Sequence, residues 1–166
     1  MKRILVTGAN KGIGLATVEN LLQNHPDTFL ILGSRDEKRG DEALGFLTST
    51  EPKWADRLMM LAIDVSNDES VTMAAETVAS SFETEAKPLY GIINNAGIGS
   101  SSIGLEPTLQ VNTWGIHRVC EAFIPLLEAS GRIVNVTSAA GPNFVEAADD
   151  LTRTMLTDPD VQWDAV

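Results

Sequence analysis

The sequence predicts an α/β domain on a doubly wound parallel sheet of about five strands, in spatial order 3-2-1-4-5. Three observations carry that expectation. Apolar runs of strand length alternate along the chain with stretches of helical periodicity. The runs are almost continuously apolar rather than alternating, as in strands covered on both faces. The first of them, Ile4-Leu5-Val6, leads directly into a glycine turn, Gly8-Ala9-Asn10-Lys11-Gly12-Ile13-Gly14, that opens a helix. Right-handed crossovers between parallel strands then give the doubly wound order.

Taken in order, the first strand is expected over Arg3 to Thr7 and the first helix from Gly12 to Asn24, with Ile13, Ala16, Leu21 and Leu22 inward. His25-Pro26-Asp27 ends that helix. Thr28 to Ser34 is a second strand, and a charged helix follows from Asp36 to Leu47. Arg57 to Val65 reads as the third strand. Asn67 or Asp68 caps a helix whose stripe Val71, Ala74, Ala75, Val78 and Phe82 keeps helical spacing. Leu89 to Asn94 is the fourth strand. One long helix is expected from Val111 to Ala129, with Ile116, Val119, Cys120, Phe123, Ile124 and Leu127 on one face and Pro125 as a kink. Arg132 to Thr137 is the fifth strand. Residues 1–141 form the domain, and 142–166 an acidic tail of weak helix and loop.

The 166 residues are 43% hydrophobic, enough for one domain with a real core. No apolar run approaches the ~20 residues that span a bilayer, and Lys2-Arg3 followed by a strand is not expected to act as a secretory signal. The single cysteine, Cys120, fits a reducing cytoplasm and reads as buried filler in a helix stripe. A net charge of −11 argues against nucleic acid and anionic membrane surfaces as partners. No metal site is expected. An acidic chain that binds an anion must place its cations locally, which singles out Lys11, Arg35 and Arg39. The glycine turn supplies the reason to expect one. Glycines let backbone approach a pyrophosphate, and free N–H groups at a helix start favour its charge. A P-loop is excluded because Ile13, and not a lysine followed by a hydroxyl residue, follows Gly12.

Five motifs occur in order across the first 138 residues: Thr7-Gly8 through Gly14, Asp64-Val65, Asn94-Asn95-Ala96-Gly97, Asn112 within Val111-Asn112-Thr113-Trp114-Gly115, and Ser138 after Val134-Asn135-Val136-Thr137. Together they resemble the short-chain dehydrogenases/reductases, and the Ser34-Arg35-Asp36 strand end and Val119-Cys120-Glu121 resemble the carbonyl reductase branch most. The resemblance implies a Rossmann-like fold that binds a nicotinamide cofactor and reduces a carbonyl to an alcohol by hydride transfer. It implies that Gly8, Asn10, Lys11, Gly12, Ile13 and Gly14 cradle the pyrophosphate. Asp64 and Val65 would contact adenine, and Asn95, Ala96 and Gly97 would line the cofactor. Asn112 would support a proton-relay water, and Ser138 would hold the substrate carbonyl. Asn94 is expected to make a strand-end structural bond, and His25 and His117 to be structural or exposed.

Charge decides the cofactor form. An acidic residue at the end of the second strand would bind a ribose hydroxyl, whereas Ser34-Arg35 suits a 2′-phosphate, with Lys11 as a second cation. NADP(H) is therefore expected. The competing reading has Arg35 paired with Asp36 or Glu37 on a solvated helix.

Two features depart from the family pattern. No Tyr-x-x-x-Lys occurs; the one tyrosine is Tyr90, and Asn94 stands four residues on. Loss of a positioned general acid costs typically ~10²–10⁴-fold. The chain ends 28 residues after Ser138, so the last two strands of the family, the helix bearing the tyrosine and the substrate loop are expected to be missing, and this chain alone to be inactive. The alternative is a non-catalytic NADP(H)-binding module. The fifth strand would be left as an open apolar edge, prone to self-association or to completion by a partner. Only 16 residues separate Asn95 from Asn112, and the short helix the family has there is expected to shrink to a Gly99-to-Ser102 loop.

Overall fold

Five parallel strands, β1 (Lys2–Val6), β2 (Thr28–Ser34), β3 (Leu58–Ala62), β4 (Leu89–Asn94) and β5 (Leu127–Asn135), form one sheet in the order β3-β2-β1-β4-β5. The doubly wound order read from the sequence is thus the order found. The structure, a computed structural model, describes residues 1–99 and 104–162.

Helices cover both sheet faces of the first unit, Met1–Asn135. Alternation along β1 sends Ile4 and Val6 to one face, where Val18 and Leu22 of α1 (Gly12–Asn24) and Ala43 and Leu47 of α2 (Glu37–Thr50) pack. Leu5 goes to the other face, against Val71, Ala74 and Val78 of α3 (Asp68–Ser81) and Val119 and Phe123 of α5 (Trp114–Phe123). Leu5, Leu30 and Leu32 are fully buried, each worth about 1.5–3 kcal/mol relative to exposure. Caps set several ends. Asp36 accepts from the Arg39 N–H and Asn67 from the Ser70 N–H at the starts of α2 and α3. The Arg57 guanidinium donates to the carbonyls of Leu22, His25 and Thr28, from the last turn of α1 to the start of β2.

Three expectations about the helices of this unit are corrected. In α1 the inward row is Gly14, Val18 and Leu22, while Ile13 is 69% exposed and Ala16 also faces solvent. Gly14 packs by its lack of a side chain, so counting apolar side chains alone shifts the phase of the stripe. The single long helix is two: α4 (Leu105–Asn112) and α5, separated by Thr113 at φ −117°, ψ −68°. Helix α5 stops at Phe123, and Pro125, which has no N–H to donate, sits in a tight turn over Ile124–Leu126. Ile124 is therefore exposed and Leu127 belongs to the sheet. Third, the segment before Asn112 keeps a helix, α4; of the loop expected there, Ser100 to Ser102 lie outside the described residues.

Strand β3 is also shorter than Arg57 to Val65, because a tight helical turn occupies Pro52–Arg57. In β5, Leu127 meets Leu89, and the regular ladder then starts at Arg132 opposite Gly91. The second unit, Val136–Val166, carries α6 (Ala140–Ala147) and α7 (Asp150–Thr157), two short helices where a weak helix and loop are expected. The expected boundary at 141 falls inside this unit. Asp149 caps α7 by accepting from the N–H and Oγ1 of Thr152 and from the N–H of Leu151, and those bonds, Thr152's foremost, hold its carboxyl below the usual range.

Candidate functional site

A cleft of about 400 Å³ opens at the C-terminal ends of the strands in the first unit. Its floor is the glycine turn after β1. Gly8 has φ +62° and lies so close to the loop after β4 that an added Cβ would stand 2.8 Å from the Ala96 Cα. A Cβ on Gly14 would stand 2.5 Å from the Gly8 carbonyl oxygen. Gly12, at φ +57°, is different: nothing lies within 4 Å of where its Cβ would be. Two glycines thus compress the turn and one keeps its rim open. Lys11, at the start of α1, makes no side-chain cap, so the first-turn N–H groups are left for a ligand.

All twelve residues singled out for cofactor contact line this cleft: Gly8, Asn10, Lys11, Gly12, Ile13, Gly14, Arg35, Asp64, Val65, Asn95, Ala96 and Gly97. Asp36, Arg39, Ile63, Ile98 and Val111 complete the lining. Arg35 does not pair with Asp36. That carboxylate caps α2 and pairs with the Arg39 guanidinium at 3.6 Å, and Ser34 Oγ donates to the Asp36 carbonyl at 2.8 Å. Among the described residues neither Lys11 nor Arg35 has a carboxylate partner. The Asp64 carboxylate is satisfied locally, accepting from the N–H and Oγ of Ser66 at 3.0 and 2.6 Å.

Two asparagines act on backbone. Asn95 donates through Nδ2 to the carbonyls of Thr7 and Gly8, at 2.9 and 3.1 Å. Asn112 accepts from the Ile98 N–H and donates to the Ile98 carbonyl, both at 2.9 Å. Asn112 is thereby fixed against the cleft wall, with Gly97 beside its Oδ1. Ser138 belongs to the second unit, where its Oγ accepts from the Ala140 N–H at 3.2 Å.

Asn94 makes the expected structural bond, donating from Nδ2 to Asn135 Oδ1 at 2.9 Å, while its own Oδ1 is buried with no partner among the described residues. Cys120 is half-buried rather than buried. Burial pushes its thiol up, and Asn94 Nδ2 lies 3.7 Å from its Sγ. His117 stands edge-on to Trp114, with ring centroids 6.1 Å apart. Tyr90 sits toward the N-terminal end of β4, its ring under the Lys2 ammonium at 4.9 Å, so it faces away from the cleft end of the sheet.

One contributor carries no assigned role in the sequence reading. Thr7, buried behind the turn, accepts at Oγ1 from the N–H groups of both Asn95 and Ala96, at 3.0 Å each. Its signal is a hydroxyl immediately before the first glycine. Among the described residues no helix is long and apolar enough to cross a membrane.

Comparison with known proteins places this geometry. The family profile described as short chain dehydrogenase matches residues 2–148. A mitochondrial D-beta-hydroxybutyrate dehydrogenase of Bos taurus is 35% identical over 149 residues, covering 84% of this chain and 42% of the relative. An NADPH carbonyl reductase of Rattus norvegicus is 32% identical, covering 81% of this chain and 48% of the relative. A solved NADPH-bound carbonyl reductase from chicken fatty liver superposes with a TM-score of 0.69 at 30% identity, over 85% of this chain and 61% of that one. The chain thus spans about half the length of the curated relatives it matches.

Proposed function

The chain belongs to the short-chain dehydrogenase family, a family of oxidoreductases, and from that membership we propose that its cleft holds NADP(H) and that it is a reductase of the carbonyl-reducing kind. The observation that carries the cofactor form is the pair of cleft-lining cations, Lys11 after β1 and Arg35 after β2, that no carboxylate among the described residues engages. A 2′-phosphate suits that pair, and a guanidinium forks onto phosphate with charge-assisted bonds. The open rim at Gly12 gives a pyrophosphate room against backbone.

In this reading Asp64 and Val65 stand at the adenine, and Ala96 and Gly97 wall the cofactor. Asn112 serves the carbonyl end, and Ser138, in the second unit, keeps the carbonyl-holding role that membership of the family implies for it. When bound, the cofactor supplies the hydride. No Tyr-x-x-x-Lys occurs in these 166 residues, and Tyr90 lies at the far end of β4. The general acid of the family pattern is therefore not among them, which supports binding without useful turnover by this chain alone. That same observation favours the second reading, a non-catalytic NADP(H)-binding module. The half-buried lone Cys120 supports a reducing compartment, in this reading the cytoplasm.

The test titrates the chain and its Arg35→Asp variant with NADPH and with NADH. The expected result is a preference for NADPH that falls at least about tenfold in the variant, the scale of one charge-assisted bond. An unchanged preference overturns the assignment. The catalytic half is tested by NADPH oxidation with a small quinone or aldehyde, which should be no faster than in Ser138→Ala.

A further inference from the structure

We propose that Arg118 is a positioning residue for the cleft: it holds the α4–α5 junction so that Asn112 stays clamped on Ile98. The inference rests on the NADP(H) reading only for its consequence in binding. Asn112 is the last residue of α4 and Trp114 the first of α5, with Thr113 between them off helical geometry. A junction of that kind leaves carbonyls at the end of the first helix short of intrahelical donors. Arg118, one turn into α5 and only 18% exposed at its side chain, reaches back to it. Its Nη1 donates to the Gln110 carbonyl at 3.1 Å and its Nη2 to Gln110 Oε1 at 2.7 Å. Its Nε donates to Asp68 Oδ1 at 2.6 Å, at the start of α3.

One planar guanidinium therefore joins three helices two residues upstream of Asn112. The contacts differ in weight. Asp68 is 82% exposed at its side chain, and pairs of that kind contribute little. The two bonds to Gln110 are sheltered and fix where α4 ends. Gln110 is itself braced, since its Nε2 donates to Glu106 Oε1 at 2.9 Å. Downstream of that brace, Asn112 makes two bonds to one residue, and both require the α4 terminus in register with the Ile98 backbone. Ile98 and Val111 line the cleft, so a loosened junction would loosen the wall beyond Gly97 and leave the Lys11–Arg35 rim intact.

The test uses the full chain and two readouts, amide hydrogen exchange and ligand affinity. In Arg118→Ala the Ile98 amide should exchange about tenfold faster, the scale of one lost charge-assisted bond, while the Leu5 and Ile92 amides in the sheet keep their protection. NADPH affinity should fall several-fold, with affinity for adenosine 2′,5′-bisphosphate unchanged. Arg118→Lys, which keeps the charge but not the planar fork, should fall between. Asp68→Asn should leave the Ile98 amide as it is. If Arg118→Ala does not fold, Gln110→Ala and Arg118→Lys decide, because each removes only part of the brace. Unchanged exchange at Ile98 in a folded variant overturns the proposal, as does uniform loss of protection across the sheet. If the unaltered chain binds neither ligand, the cofactor reading fails by itself and the exchange result still decides the role of Arg118.

Discussion

Asn95 is bonded to Thr7 at both ends: its N–H donates to Thr7 Oγ1 at 3.0 Å and its Nδ2 to the Thr7 carbonyl at 2.9 Å. The two residues close adjacent strands, so the end of β4 and the glycine turn after β1 move as one body. Thr7 is 1% exposed, and its hydroxyl also takes the Ala96 N–H. Replacing it by valine keeps the shape and strands two buried donors. Thr7→Val should cost about 2 kcal/mol, seen as a melting temperature lower by roughly 4–8 °C. Thr7→Ser should melt close to the unaltered chain.

The glycines should separate folding from binding. Gly14→Ala puts a methyl 2.5 Å from both the Asn95 Nδ2 and the Gly8 carbonyl oxygen, and no soluble folded protein is expected. Gly12→Ala meets no atom, and its only fold cost is the left-handed backbone, about 1–2 kcal/mol. It should fold yet bind NADP(H) at least about tenfold more weakly, because the methyl stands in the cradle. Gly45, inside α2, also has open space. Gly45→Ala should raise stability by about 0.4–1 kcal/mol with binding unchanged. Thermal melts and cofactor titration of the three variants check the set.

These contrasts show where sequence is sufficient. The bounds of α1, β2 and β4 follow from local chemistry: a glycine start, a proline break and an apolar run. The cleft residues were legible because each stands at the end of a strand, where a doubly wound sheet gathers its loops. What was not legible depends on which groups meet in space. No residue type around Thr113 announces a break, since what marks it is the direction of two side chains, Asn112 onto the Ile98 backbone and Arg118 back to Gln110. Nor can a stripe count show that Gly14 faces inward, because its contribution is the contact made possible by a missing side chain. The pairing of Asp36 with Arg39 rather than with Arg35 was likewise a matter of side-chain direction at the helix cap.

At the other end of the sheet, Arg3 forks onto Glu85, with bonds of 2.9 and 2.7 Å, and lies 4.3 Å from the centre of the Phe82 ring. The Arg3 bond holds the Glu85 carboxyl below its ordinary range. A carboxyl whose pKa is lower folded than unfolded contributes stability in full above its unfolded value. That contribution is lost as the pH falls through the folded one. Denaturant melts across about pH 3–5 should therefore show a shallower acid loss in Glu85→Gln than in the unaltered chain. At neutral pH the variant should be modestly less stable. Equal slopes in the two proteins would mean that the pair adds nothing.

The outer strand gives the last expectation. β5 ends the sheet, and its Ile133 and Val134 are 37% and 49% exposed. An exposed apolar edge carries unpaired backbone donors and acceptors on which another strand can add. We therefore propose that the chain self-associates through β5 as its concentration rises. Val134→Lys places a charge on that strand, at a site too exposed to cost the core more than about 0.5 kcal/mol. The variant should stay monomeric by light scattering at concentrations where the unaltered chain does not, with its melting temperature nearly unchanged. Association that persists undiminished in Val134→Lys would assign it to some other surface.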